Sequence, residues 1–384
     1  MIRKSIYILC FFFAWNSIGQ TSTIEEKFEL PEEVKETSGL IFFNDKIITH
    51  NDSGDIANLY EIDTNSGAIT RTINITNATN VDWEDISQDD THIYIADIGN
   101  NSGDRQDLKI YKVLKSDYLA STNVTAEIIS FSYEDQTDFT SQPNNTNFDA
   151  EAIGIYQDNI VIFTKHWIDF QTNAYIIPKS FGNHIAQKVS TFNAEGLITG
   201  ADFNGEHLIL TGYNSMAVPF LVFANENRPP GVDFFGGFVE KINLIGDAFL
   251  ENGSQIEGIT FFASDKCYIS REFSSANVGG MNFEFPQKLY EFTSFIFNLL
   301  SSSDYRLSKT VEIAPNPVKD TLSIVLKESS LEISSVIIYN SKGQEILIEK
   351  GKDVININNI SNGIYFAKIH FASGQNIVKR IIKE

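Results

Sequence analysis

Residues 256–262 read IEGITFF, and the same short pattern stands upstream at TSGLIFF (37–43), WEDIS (83–87), AEAIGIY (150–156) and TGADF (199–203). Each is followed by a second apolar strand and then by a third with a central aromatic: NLYEI, LKIYKV, NAYII, FLVFA and KLYEF, with Tyr60, Tyr111, Tyr175, Phe223 and Tyr290 as the aromatics. They stand roughly fifty to sixty-five residues apart, which is the period of a strand-rich repeat with its loops. One such sheet cannot bury both of its faces, whereas a ring of them can. The expected fold is therefore all-β, a β-propeller of about five blades, and a sixth fits if the long stretch between Phe223 and Gln255 holds another. The fourth repeat is the weakest, having Phe223 where the others have Tyr. Phe28 in IEEKFEL is expected to supply the outer strand that closes the ring. Small residues near the strand starts, Gly39, Ala152, Gly200 and Gly258, let crowded strands approach the axis, and Asp85 breaks that rule.

The rest of the chain sets the context. The 384 residues carry a formal net charge of −21, with 42% hydrophobic and 21% charged residues, a globular composition whose sign argues against any nucleic-acid partner. Arg3 and Lys4 precede an apolar run from Ile6 to Trp15 and a small-residue site at Ser17-Ile18-Gly19, so residues 1–19 read as a secretory signal too short to span a membrane. No later segment reaches spanning length. Cys10 falls within that signal, which leaves Cys267 in KCYIS as a small buried hydrophobe and excludes a disulfide framework. Residues 20–300 form the expected cargo domain, 301–310 with Ser301-Ser302-Ser303-Asp304 a linker, and 311–384 a separate domain of short alternating strands.

In an antiparallel blade the start of the first strand and the end of the second lie at the same end. Glu84, Glu151 and Glu257 are thus expected to meet loop residues from NDSGD (Asn51, Asp52, Asp55), DIGNNSGDR (Asp97, Asn100, Asn101, Asp104, Arg105), KHW (Lys165, His166), GYN (Tyr213, Asn214) and REF (Arg271, Glu272). Converging carboxylates raise one another's pKa unless a cation neutralises them, and hard oxygen ligands suit Ca²⁺ or another divalent ion such as Mg²⁺. The expected metal ligands are Asp52, Glu84, Asp97, Glu151 and Glu257. Arg105, Lys165, Tyr213 and Arg271 are expected to hold a ligand, and Glu84, Glu151 and His166 are the catalytic candidates. Each has a plainer alternative: the Asp-Gly loops as turns, the glutamates as acceptors for backbone N–H groups, His166 as a hydrogen-bonded loop residue. No motif asks for an organic cofactor. Two function classes remain. One is a monomeric binding or scaffold module for an extracellular ligand. The other is a metal-dependent hydrolase of a phosphoester, lactone or ester, with a polarising cation, a Glu base and cationic side chains on the anion. The lack of GxSxG, HExxH and Walker patterns favours binding.

Two resemblances add to this. Pro315-Asn316-Pro317, the IIYNSKG hairpin at 337–343, Gly363-Ile364-Tyr365-Phe366 and the basic Lys379-Arg380 near the C-terminus resemble the type A sorting domain of the type IX secretion system across residues 311–384. That resemblance implies a β-sandwich, an interaction with the secretion machinery, and delivery of the cargo to the cell surface or the medium. NDSGD, DWEDI at Asp82 to Ile86, and DIGNN with Arg105 eight residues after Asp97 resemble a family of secreted bacterial propeller-like proteins over residues 36–225. That likeness implies the fold and an extracytoplasmic setting, and no reaction. More loosely, acidic propellers include calcium-dependent phytases and metal-dependent lactonases, an analogy of fold alone.

Overall fold

A computed structural model describes residues 23–205, 207–224, 233–237, 239–244, 255–278, 280–293, 310–327 and 331–384. The expected signal at 1–19 and the linker through 309 lie outside the described residues, as does much of the stretch between Phe223 and Gln255. The chain divides into two units, one spanning Thr23–Ser294 and one containing Phe295–Glu384.

The larger unit is nearly all β. It opens with β1 (Thr23–Glu29). The first meander follows as β2 (Thr37–Phe43), β3 (Lys46–Asn51), β4 (Asn58–Asp63) and β5 (Ile69–Ile75). Next come β6 (Trp83–Gln88), β7 (His92–Asp97), β8 (Lys109–Leu114), the short helix α1 (Lys115–Ala120), β9 (Asn123–Val124) and β10 (Glu127–Tyr133). The third meander is β11 (Asp149–Tyr156), β12 (Asn159–Lys165), β13 (Thr172–Pro178) and β14 (Gly182–Phe192). The fourth is β15 (Leu197–Asn204), β16 (His207–Tyr213), β17 (Pro219–Ala224) and β18 (Val239–Asn243). The fifth has β19 (Ile256–Ala263), β20 (Lys266–Arg271), a side hairpin β21 (Ser274–Val278) and β22 (Met281–Phe285), and β23 (Lys288–Thr293). Its outermost strand is β1, which pairs antiparallel with β23, so the start of the described chain completes the last meander.

The five first strands form a cycle: β2 lies beside β6, β6 beside β11, β11 beside β15, β15 beside β19, and β19 beside β2. Parallel pairing of β10 with β14 fuses the second and third meanders into one eight-stranded sheet. Its end strands β6 and β11 are neighbours, so this sheet nearly closes on itself. Apolar faces are buried between successive meanders. Ile41, Ile48 and Leu59 of the first meet Trp83, Ile95 and Tyr111 of the second, and Leu40 and Ile62 meet Tyr268 and Leu289 of the fifth. Close approach at the axis demands small residues: a Cβ on Gly200 would lie 2.3 Å from the Glu257 carbonyl oxygen, and one on Gly258 2.5 Å from that of Ser38.

The central aromatics of the third strands keep one register in four meanders, where Tyr60, Tyr111, Tyr175 and Tyr290 face Thr49, Ile95, Ile162 and Ile269, each the fourth residue of its second strand. In the fourth meander Val222 takes that place, opposite Leu210. Phe223 is one residue on and so points to the other face, where it stacks on Phe292 at 6.1 Å. It is not the counterpart of the tyrosines. Cys267 is fully buried and unbridged.

The smaller unit has two antiparallel sheets. One joins β24 (Val311–Ala314), β25 (Thr321–Leu326) and β28 (Val354–Asn356). The other runs β27 (Glu345–Lys350), β26 (Ile333–Asn340), β29 (Gly363–Phe371), β30 (Asn376–Lys383). Leu322, Ile324 and Ile355 of the first meet Val336, Ile338, Ile369 and Ile377 of the second in one core, a sandwich as the sorting-domain resemblance implied. Among the described residues no helix is long and apolar enough to cross a membrane.

Candidate functional site

Each first strand of the larger unit carries one extra residue near its start. Trp83 pairs with Asp97 but Asp85 with Ala96; Ala150 pairs with Thr164 but Ala152 with Phe163; Ile198 pairs with Gly212 but Gly200 with Thr211. The same slip separates Thr37↔Asn51 from Leu40↔Thr49, and Ile256↔Arg271 from Ile259↔Ile269. A bulge of this kind bends the strand and re-aims a side chain. It sets Ser38, Glu84, Glu151, Thr199 and Glu257 in equivalent places at one end of the cycle. The residues that follow the second-strand partners form a second tier, Asp52, Ile98, Lys165, Tyr213 and Glu272. Those before the first-strand partners form a third, Glu36, Asp82, Asp149, Leu197 and Gln255.

Ser38 and Thr199 donate their hydroxyls to the next first strand, at the carbonyl oxygens of Glu84 and Ile256. The glutamates behave differently. Glu84 is 4% exposed, and among the described residues no donor reaches its carboxylate; the plainer expectation of bonding to backbone N–H groups fails there. Its oxygens instead lie with those of Asp52 and Asp82, one atom from each within 4.8 Å of the others. Burial, then the charges of Glu151, Asp52, Asp82 and Asp149, push the Glu84 carboxyl well above the usual range. Burial and the Asp52 and Asp149 charges raise Asp82 to about 7 against the pull of Arg105, and burial raises Asp52. Gly99 closes the triad from behind. A Cβ there would sit 2.1 Å from Glu84 Oε1 and 2.3 Å from Asp82 Oδ2, while the N–H groups of Ile98 and Gly99 donate to the Asp82 carbonyl oxygen at 3.1 and 3.2 Å.

Glu151 is held otherwise, by a short bond from Lys165 Nζ. Burial opposes the charge on Lys165, but Glu151, Tyr213, Glu257 and Asp149 outweigh it and keep the ammonium protonated. That ammonium also lies 5.0 Å from the Trp167 ring centre and 5.7 Å from that of Tyr213. Asp149 accepts from Asn100 N (2.7 Å) and Trp167 Nε1 (2.8 Å), tying two loops together. Burial and the neighbouring Glu272 push Glu257 up, and burial with the Asp52 charge raises Glu272 to about 7.

Several expected residues do other things. Asp97 is no member of the triad: Arg105 Nη2 bonds it at 2.8 Å and Lys109 stands 4.0 Å away, so its charge is already matched. Arg105 is committed in turn, donating to the Gly99 carbonyl oxygen at 2.8 Å and pairing with Asp107. Arg271 is fully buried and donates to the Pro286 carbonyl oxygen at 3.0 and 2.7 Å, which braces the side hairpin rather than facing a ligand. His166 bonds Asp169 at 2.8 Å through Nδ1, and its charged neighbours are Asp169, Lys188 and Asp135, none of them in the acidic mouth. Burial lowers its pKa. The structure brings Asp52, Glu84, Glu151, Glu257, Lys165 and Tyr213 together. It adds Asp82, whose place two residues before Glu84 was the available sign, and Asp149 and Gly99, for which the sequence offered none.

Comparison with known proteins speaks mainly to the other unit. Residues 312–384 match the family model described as the secretion system C-terminal sorting domain. These residues are a sorting domain of the type IX system. The protein is therefore exported across the outer membrane, to the cell surface or beyond it, and its sorting domain interacts with that machinery. No curated protein sequence matches the chain. Among solved structures it is similar to a putative oxidoreductase (glucose dehydrogenase) from Thermus thermophilus, at 7% identity and a TM-score of 0.37, covering 71% of this chain and 99% of that one. A DUF4623 family protein from Bacteroides eggerthii matches at 9% and 0.37, covering 91% and 71%. The extracellular domain of a putative one component system from B. thetaiotaomicron matches at 11% and 0.31, and the match spans 94% of this chain but 59% of that longer one. Likenesses so loose assign no chemistry.

Proposed function

We propose that the unit delivered by the sorting domain is a five-bladed β-propeller that holds a divalent cation, Ca²⁺ foremost, at Asp52, Asp82 and Glu84, and acts as an extracellular ligand-binding module. The observation that carries this reading is the triad itself. Three carboxylate oxygens within 4.8 Å, one of them from a nearly sealed glutamate without a donor, are costly together without a cation. The spacing suits it, since ligand oxygens at about 2.3–2.6 Å from Ca²⁺ can stand up to about 5 Å apart. Bound there, the ion would supply a positive centre that a ligand oxygen can share. Lys165, paired with Glu151, would set the polarity of the adjoining wall. The closed cycle of first strands and the completion of the fifth sheet by β1 support the blade count.

One observation favours hydrolysis as a second reading. Glu272, raised to about 7, stands near the Asp52 side of the triad and can exchange a proton at neutral pH. The test is to melt the secreted protein with and without Ca²⁺ while assaying phosphoester, lactone and ester panels. Calcium stabilisation with flat panels supports the binding module. Turnover that needs the cation and disappears in Glu272→Gln transfers the case to the hydrolase. A melting point indifferent to Ca²⁺, Mg²⁺ and Mn²⁺ contradicts both.

A further inference from the structure

Beyond the triad, Glu257 and Glu272 are a further pair of mouth carboxylates that accept no bond among the described residues, and both lie in the field of the Lys165 ammonium. Glu257 stands on the bulge of β19 and Glu272 follows β20; Ile256 pairs with Arg271, and Glu272 N donates to the Gln255 carbonyl oxygen at 3.2 Å, so the two segments run side by side. Glu257 is 7% exposed, and among the described residues no donor reaches its carboxylate. The only close group of three metal-type ligands among the described residues excludes both of these glutamates. Without a third close oxygen the pair is a poor hard-metal site. It suits an organic cation, because an ammonium or guanidinium needs only a few acceptors and pairs strongly with carboxylates.

The loops around this opening are apolar at their tips. Of the five connections between second and third strands, four bear exposed large apolar residues: Ile56 (66% exposed), Ile168, Met216 (74%), and Phe273 with Met281 and Phe283. Val81, exposed before β6, adds to them at the same end. On the side hairpin, Met281, Phe283 and Phe285 alternate along β22 and so share one face. The hairpin is tied to the first meander through Phe273 N, which donates to the Lys35 carbonyl oxygen at 2.7 Å. Scattered apolar residues are ordinary on a surface; a set that rings an acidic opening marks a contact face. The net charge of −21 makes a basic partner the complementary one.

We infer that this end of the unit docks a polypeptide partner that presents a lysine or arginine flanked by apolar residues, with the cationic head between Glu257 and Glu272 and the apolar neighbours on the exposed loop tips. The inference rests on the mouth being a ligand-binding face, but not on an ion at the triad. It is tested with the full secreted chain in Ca²⁺ and three fluorescent peptides: arginine between leucine pairs, glutamate between the same leucines, and arginine between glycines. Anisotropy should show the first binding at least tenfold tighter than the other two. That affinity should fall at least tenfold in Glu257→Gln/Glu272→Gln and in Met281→Ser/Phe283→Ser, and stay unchanged in Glu127→Gln on outer strand β10. Equal binding of the glutamate peptide, indifference to the paired glutamine variant, or no binding at millimolar arginine peptide overturns the inference. So does loss of a second bound Ca²⁺ in Glu257→Gln. If the wild type takes no Ca²⁺ yet binds the arginine peptide through Glu257, the metal reading fails and this one stands.

Discussion

Two sets of buried or half-buried carboxylates occupy the inner strands of the larger unit, and their surroundings answer them in opposite ways. Asp85 accepts from Ile86 N and Ile153 N, each at 2.8 Å, and Asp202 accepts from Phe203 N and Phe261 N at 2.8 Å and from the Thr260 hydroxyl at 3.1 Å. These two staple one first strand to the next. Glu84, one residue before Asp85, and Glu257 accept no such bond among the described residues. Backbone donors leave one carboxylate unsatisfied while fully engaging its neighbour: Asp85 and Asp202 hold the cycle together, whereas the role proposed for the glutamates is contact with a bound cation or ligand.

The comparison is easiest to break at Asp85. Asp85→Ala would orphan buried N–H groups on two strands, each costing about 1–3 kcal/mol, so the urea midpoint should fall by the equivalent of about 3 kcal/mol. A variant as stable as wild type would show that Asp85 is no staple. Glu84→Gln should do the reverse in metal-free protein, leaving stability equal or slightly higher because a carboxyl that ionises there only at a cost is replaced by a neutral amide. It should also abolish the gain from Ca²⁺, about 2.7 kcal/mol at a hundredfold excess over Kd. A metal-free loss as large as that of Asp85→Ala would erase the distinction.

The pH dependence sharpens it further. Asp82 and Glu272 are raised in the folded chain to about 7, so the folded state binds more protons than the unfolded one. Their contribution is fully present below the ordinary carboxylate range, near pH 4, and is lost as pH rises through about 7. Metal-free protein should therefore melt lower at pH 8 than at pH 5.5, and saturating Ca²⁺ should flatten that slope. A slope unaltered by Ca²⁺ in calorimetric melts would count against the triad. The smallest effect is expected at Gly99→Ala. Its Cβ would crowd Glu84 and Asp82, weakening Ca²⁺ about tenfold, or about 1.4 kcal/mol, in a titration where the metal-free melt barely moves.

The parts legible in the sequence were those written in periodicity. The five first strands and their partners announced themselves through the recurring strand openings and central aromatics, β1 through Phe28, and the sorting domain through its motif order. Phe223 misled because a one-residue offset is invisible in composition yet reverses the face. At the site, strand starts and loop ends placed Asp52, Glu84, Glu151, Glu257, Lys165 and Tyr213 at one end because hairpin geometry requires it. The charge pairing did not show. Asp97 is cancelled by Arg105 from eight residues on, and Arg271 is buried against Pro286, outcomes set by loop paths that no spacing encodes. Asp85 looked like a flaw in the small-residue rule because its partner Ile153 is 68 residues distant.

The central claim is that a cation belongs among Asp52, Asp82 and Glu84. Anomalous scattering from crystals of the secreted protein grown with Mn²⁺ tests it most directly. The account predicts one strong peak touching oxygens of all three residues. Strong peaks only elsewhere, or none at the triad under conditions where the cation raises the melting temperature, would contradict it.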